Sequence, residues 1–122
     1  FSAPDNCVFD ALGRLWVATD GNMQGGVDGL FALDTDGAAR GRSRQFFSAP
    51  VGAELCGPCF TPDLETLFLA VQHPGQTESA SLGQGISTYD NPSTRWPDFV
   101  DGRPPRPAIV VITRKGGGRI GA

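Results

Sequence analysis

An internal repeat constrains the fold of this chain more than any other feature of its sequence. The stretch 7–20, CVFDALGRLWVATD, aligns with the stretch 59–72, CFTPDLETLFLAVQ, so that Leu67 lies 52 residues after Leu15. Each copy has a short apolar stretch, a turn and a second apolar run, which is the pattern of two β-strands in a hairpin. Because self-similarity at such a spacing marks a recurring supersecondary unit, the sequence predicts two related β-units in tandem.

Each unit is expected to contain further short strands after its hairpin. In the first unit the stretches 29–33 (GLFAL) and 44–47 (RQFF) flank a DTDG turn, which completes four strands. The second unit resumes with the apolar run 108–113 (AIVVIT), and its fourth strand would begin near Arg119. Four short strands in about 50 residues are the content of one β-propeller blade.

The composition favours the same all-β architecture. The chain has 17 Gly and 10 Pro among 122 residues, which leaves little room for long helices. We therefore predict an all-β fold with two consecutive four-stranded antiparallel blades of a β-propeller, one in residues 1–50 and one in 51–122, with a long insertion at 75–107. A two-sheet β-sandwich built from the same strands is the alternative. Because two blades cannot close a ring, the chain is expected to be part of a larger propeller that lacks its N-terminal blades here, or to assemble with copies of itself.

The charge pattern excludes some classes of function. With 10 Lys and Arg against 13 Asp and Glu, the formal net charge is −3, and a nucleic-acid reader would instead carry a basic stripe. No apolar run approaches the roughly 18 residues of a membrane-spanning helix. The N-terminal residues lack the basic and then apolar pattern of a secretory signal.

Oxygen-bearing side chains occupy equivalent places in the two units. Asp5 and Asn6 come just before the first inner strand, and Glu54 comes just before the second. Inner strands of a propeller line its axis, so these groups are predicted to converge on one axial point and to bind a hard cation such as calcium. Turn chemistry is the alternative for such residues, and it is the preferred interpretation for Asp10 and Asp20.

The motif Cys56-Gly57-Pro58-Cys59 has the spacing of a thioredoxin-like dithiol. Such chemistry requires a thiolate at a helix N-terminus, and the apolar spacing after Pro62 is compatible with a helix. The repeat instead predicts a strand there, which makes Cys56 and Cys59 small, mostly buried residues that flank a turn, with Cys7 as a third such residue.

The chain resembles the C-terminal part of the PhoX-type alkaline phosphatases, a secreted family of propeller phosphatases. The resemblance spans nearly the whole sequence and is carried, in order, by PDN (4–6), GRLWVATDG (13–21), DGLFA (28–32), GAE (52–54), FTPD (60–63), TLF (66–68), VQHPG (71–75), WP (96–97) and RPA (106–108).

The resemblance implies a phosphomonoesterase that hydrolyses phosphate esters at a centre of iron and calcium on the propeller axis. By motif position it implies metal-binding roles for Asp5, Asn6 and Glu54, and it places His73 near the site as the candidate catalytic residue. It also implies a periplasmic or extracellular location, and activity that needs the missing N-terminal blades. A non-catalytic propeller segment that serves as scaffold or binding module is the alternative function.

Overall fold

Seven β-strands form in the part of the chain that the computed structural model describes, residues 1–21, 28–77 and 86–121. A short 3₁₀ turn, Gly37–Ala39, connects the third strand to the fourth. No helix in these ranges is long and apolar enough to cross a membrane. The strands are β1 (Pro4–Phe9), β2 (Leu15–Thr19), β3 (Gly29–Leu33), β4 (Ser43–Ser48), β5 (Glu54–Phe60), β6 (Thr66–Gln72) and β7 (Ala108–Thr113).

The strands form two antiparallel sheets, each a meander in chain order. The first sheet has the order β1-β2-β3-β4 and the second has the order β5-β6-β7. The repeated segments form equivalent hairpins, in which Phe9 pairs with Leu15 and Phe60 pairs with Leu67. The all-β prediction is confirmed, and the alternative helix after Pro62 is wrong because Thr66–Gln72 is the central strand of its sheet.

The second sheet differs from the expected blade in having three strands within the described residues. No strand begins near Arg119, because residues 115–118 form a turn in which Gly116, Gly117 and Gly118 have φ of 89°, 83° and 94°. Such angles belong to the left-handed region and interrupt an extended strand. The chain instead folds back, and the Ile120 amide donates to the Leu64 carbonyl at 2.8 Å.

The hydrophobic core lies between the two sheets. Alternation along each strand directs every second side chain to this interface. The Trp16 ring packs 5.0 Å from the Phe60 ring, and each large side chain buried here contributes about 1.5–3 kcal/mol. The most deeply buried members are Trp16 and Leu30 of the first sheet and Leu55, Leu67, Leu69 and Val71 of the second.

Residues of the predicted insertion fold against the second hairpin. The Ser93 hydroxyl donates to the Gly75 carbonyl at 3.1 Å, and Trp96 packs against the core. Arg106 holds Asp98 with two hydrogen bonds of 3.0 Å each. The segment after residue 86 therefore contacts the chain at Gly75, just after the second hairpin, and its Arg106 is paired with a carboxylate.

The opposite face of the second sheet presents a continuous apolar surface. Phe68 pairs with Val111, and Ile109 lies beside them on the same face, with exposures of 39%, 59% and 69%. We expect the isolated chain to self-associate through this surface, because exposed apolar patches and open strand edges promote association. Light scattering after size-exclusion chromatography should show an average mass that grows with concentration.

The double variant Ile109→Thr and Val111→Thr should reduce this self-association. Threonine keeps the β-branched shape that suits a strand and replaces exposed apolar surface with a hydroxyl group. A wild-type chain that stays monomeric at every concentration would contradict the prediction.

Candidate metal centre

Four ionisable side chains meet at one end of the two sheets. Asp5 lies at the start of β1 and Asp20 directly follows β2, while Glu54 starts β5 and His73 directly follows β6. In an antiparallel hairpin the beginning of one strand lies beside the end of the next. The two hairpins therefore bring all four side chains to the same edge.

Glu54 belongs to two overlapping groups of potential metal ligands. Its carboxylate lies with Asp5 and Cys56 in one group and with Asp20 and His73 in the other. Within each group the ligand atoms are within 4.8 Å of one another. A single carboxylate with two oxygens is thus placed between two sets of donors.

Irregular pairing in β1 and β5 shapes this edge. Asp5 is an extra residue in the β1–β2 ladder, and the β5–β6 ladder is interrupted between Cys56 and Cys59. Asn6 connects the two irregularities, because its Oδ1 accepts from the Gly57 amide at 3.0 Å and its Nδ2 donates to Asp5 Oδ2. Such β-bulges redirect side chains and are enriched beside functional sites.

The Glu54 carboxylate is largely enclosed and well bonded, with 13% of its side chain exposed. The Cys56 thiol donates to Oε1 at 2.7 Å and the Gln72 amide donates to Oε1 at 3.3 Å, while His73 Nε2 lies 3.1 Å from Oε2. Burial alone would raise the pKa of Glu54, but the hydrogen bonds from Cys56 and His73 outweigh it and lower the pKa. Glu54 is therefore held as a carboxylate.

The His73 ring is oriented by the main chain. Its Nδ1 lies 3.1 Å from the Gly52 carbonyl oxygen, which can only accept, so Nδ1 carries a proton. Gly52 has φ of 69°, and a Cβ there would lie 2.7 Å from the Gln76 backbone nitrogen, so only glycine fits this approach. Burial alone would lower the pKa of His73, but the hydrogen bonds to Glu54 and Gly52 raise it.

Negative charge is concentrated at this edge. Desolvation by burial raises the pKa of Asp20, and the nearby carboxylates of Glu54 and Asp28 raise it further. Like charges at such short distances oppose one another unless a cation lies between them. The site is thus electrostatically suited to bind a cation.

Comparison with known proteins bears on the family of this chain. The family model described as alkaline phosphatase PhoX matches residues 1–75. The chain belongs to the PhoX alkaline phosphatase family. Pseudomonas fluorescens PhoX, solved in complex with vanadate, a transition state analogue, shares 33% sequence identity and a TM-score of 0.75 with this chain. The match covers 98% of this chain and 19% of the solved chain, so this chain spans about one fifth of the length of that protein. No curated protein matches.

Cys56 and Cys59 are not arranged for dithiol chemistry. Cys56 and Cys59 lie within strand β5, without the helix N-terminus that would stabilise a thiolate. Burial and the adjacent Glu54 carboxylate raise the pKa of Cys56 to about 11. Cys59 and Cys7 are exposed, which corrects the expectation that they are mostly buried.

The fold brings together most of the side chains that the sequence proposes for a site. Asp5 and Glu54 converge, and His73 contacts Glu54. Asn6 lies beside them, with its amide bonded to Asp5 and Gly57. Their roles as metal ligands, and that of His73 as a catalytic residue, stay predictions.

Sequence reasoning missed two members of the centre. Asp20 was assigned to a turn and Cys56 to the flank of a turn, yet both lie among the potential ligands. Hairpin register would have indicated Asp20, because a residue that follows the second strand lies level with the start of the first. Asp10, by contrast, occupies the turn at the opposite end of the hairpin, as expected.

Proposed function

We propose that this chain supplies part of the metal centre of a phosphomonoesterase that hydrolyses phosphate esters at calcium and iron on the axis of a β-propeller. The observation that carries the proposal is the position of Glu54 between two groups of donors, Asp5 with Cys56 and Asp20 with His73. Membership of the PhoX family and the likeness to a phosphatase solved with vanadate support it.

The donors fit the proposed metals. Carboxylate oxygens of Asp5, Asp20 and Glu54 suit calcium, and a set that also includes the imidazole of His73 suits iron. Asn6 would contribute by fixing Asp5 through its amide or by offering its own oxygen. Bound metals would polarise phosphoryl oxygens and lower the pKa of a coordinated water.

Side-chain and main-chain groups of this chain would prepare the site for this chemistry. The Gly52 carbonyl accepts from Nδ1 of His73 and the Glu54 carboxylate accepts from Nε2, so both ring nitrogens donate here, and a proton lost from Nε2 would leave its lone pair directed toward Glu54 and the centre. From this position we propose that His73 acts on the phosphate ester or its metal ions through Nε2. Glu54 would span the two donor groups with its two oxygens.

Further blades would complete the enzyme. We propose that the apolar face of the second sheet and the centre itself adjoin blades of a larger propeller, of which residues 1–50 and 51–122 form two, with residues 75–107 as the insertion of the second. The extent of the match, 19% of the solved chain, supports this proposal. We place the complete phosphatase in the periplasm or outside the cell, with phosphate monoesters as substrates.

A hybrid enzyme tests the proposed function. In it, this chain replaces the matching segment of Pseudomonas fluorescens PhoX, and the host with that segment deleted is the control. We expect the hybrid to hydrolyse p-nitrophenyl phosphate, to be inhibited by vanadate and to retain calcium and iron in elemental analysis. The deletion control should lack both activity and metals.

A hybrid that unfolds cooperatively but neither retains metals nor hydrolyses the ester would contradict the proposal. That result would favour the alternative function, a non-catalytic scaffold or binding segment. Cooperative unfolding in calorimetry separates this outcome from a failure of the hybrid to fold.

A further inference from the structure

The thiol of Cys56 lies where a metal held by Asp5 and Glu54 would be coordinated. Its Sγ, one Asp5 oxygen and one Glu54 oxygen are within 4.8 Å of one another. Ligands on one tetrahedral ion are about 3.5 Å apart, as follows from metal–ligand bonds of 2.0–2.3 Å. The three atoms therefore need only small side-chain movements to bind one ion.

The register of β5 accounts for the direction of the thiol. Glu54 pairs with Gln72 and Cys56 pairs with Ala70, so the two residues lie two positions apart on one face of the strand. Asn6 fixes the bulge that begins after Cys56 by accepting from the Gly57 amide at 3.0 Å. The same Asn6 side chain donates to Asp5. One amide thus fixes the sulfur-bearing and carboxylate-bearing strands relative to each other.

Sulfur changes which ion this group of donors prefers. Calcium is bound by oxygen ligands, whereas thiolate sulfur selects iron, zinc and related transition metals. The other donor group, Asp20 with His73 and Glu54, contains no sulfur. The two sides of Glu54 are therefore chemically different.

We propose that Cys56 supplies a sulfur ligand to the ion between Asp5 and Glu54, so that this position selects a transition metal over calcium. The inference rests on the proposed metal centre and assigns one of its ions to a mixed oxygen and sulfur site. On binding a divalent ion, the thiol gives its proton to solvent and a metal–sulfur bond replaces the S–H bond.

Cobalt(II) is the probe for this site. The chain is joined to a soluble carrier domain that lacks cysteine and tryptophan, and is titrated with cobalt(II) without oxygen or added thiol. We expect a near-ultraviolet sulfur-to-cobalt charge-transfer band that zinc abolishes and that excess calcium leaves in place.

Single cysteine variants locate the sulfur. Cys56→Ser should abolish the band and weaken cobalt binding by about 10-fold or more, as loss of a ligand should exceed loss of an outer-shell partner. Cys59 follows the same bulge and Cys7 lies in β1, and neither sulfur belongs to the donor group. The variants Cys59→Ser and Cys7→Ser should therefore keep the band. Calcium affinity should be the same in all four proteins.

Three results would overturn the inference: a band that persists in Cys56→Ser, bound cobalt without a band in the wild type, or no bound cobalt in equilibrium dialysis. The hybrid enzyme separates this failure from that of the proposed function. A hybrid with Cys56→Ser that keeps full iron content and turnover overturns the sulfur ligand alone. A cobalt–sulfur band in the chain together with an inactive, folded hybrid overturns the phosphatase and leaves the sulfur ligand in place.

Discussion

Glu54→Gln in the hybrid phosphatase is expected to remove most of its metal and its activity together. Glutamine keeps the size of the side chain, but it lacks the negative charge and the second carboxylate oxygen that Glu54 directs toward His73. Because both donor groups share Glu54, one substitution weakens both. The loss of turnover should exceed the about 10–100-fold change that follows loss of an outer-shell partner.

Elemental analysis and ester hydrolysis on the same preparation measure this effect. Glu65→Gln is the matched control, because it removes the same charge from an exposed turn at the other end of the β5–β6 hairpin. That variant should keep its metals and turnover. A Glu54→Gln enzyme with unchanged metal content and rate would contradict the prediction and would mean that Glu54 only stabilises the turn before β5.

The repeat was sufficient to predict the part of the fold that builds the centre. Two copies of one pattern, 52 residues apart, require two equivalent hairpins, and equivalent hairpins bring Asp5 and Glu54 to the same end. This inference needs only the alternation of a strand and the antiparallel pairing of a hairpin. The approach of Asp5 to Glu54 also requires that β1 of the first sheet pack beside β5 of the second.

The members of the centre that the sequence analysis missed depend on details of pairing. Asp20 reaches the site because its amide donates to the Ala3 carbonyl at 3.1 Å, which extends the hairpin past the apolar run. Cys56 reaches it because it pairs in register two residues after Glu54, on the same face of β5. The bulge begins only after Cys56, and apolar periodicity does not show where such an extra residue lies.

Side chains at matching places in the repeat also have different surroundings. Trp16 and Phe68 align, yet Trp16 is fully buried and Phe68 is 39% exposed. Both lie on the same side of their own sheets, but only the first sheet has the second packed against that side. The repeat therefore predicts which side of its sheet a side chain faces, whereas the burial of that side chain depends on whether another sheet packs there.

Asp10→Ala is expected to lower the free energy of unfolding by about 3 kcal/mol. The buried carboxylate accepts from the Trp16 indole at 2.9 Å and from the amides of Leu12 and Arg14 at 2.9 and 3.0 Å. Alanine leaves these donors without their acceptor, and the indole lies in the core, where water does not replace it. Pulse proteolysis in urea, applied to the carrier fusion, should show a lower midpoint.

Asp63→Ala is the control, because it removes a carboxylate from the turn of the second hairpin. Asp63 also accepts from its turn, at Thr61 and Glu65, but it is exposed, so water can replace it and the loss should be smaller. In a Trp16→Phe background the indole donor is absent, and Asp10→Ala should then lower stability by about 1 kcal/mol less. Equal effects of Asp10→Ala in both backgrounds would mean that the carboxylate stabilises only the turn, and that the contact between turn and core contributes nothing measurable.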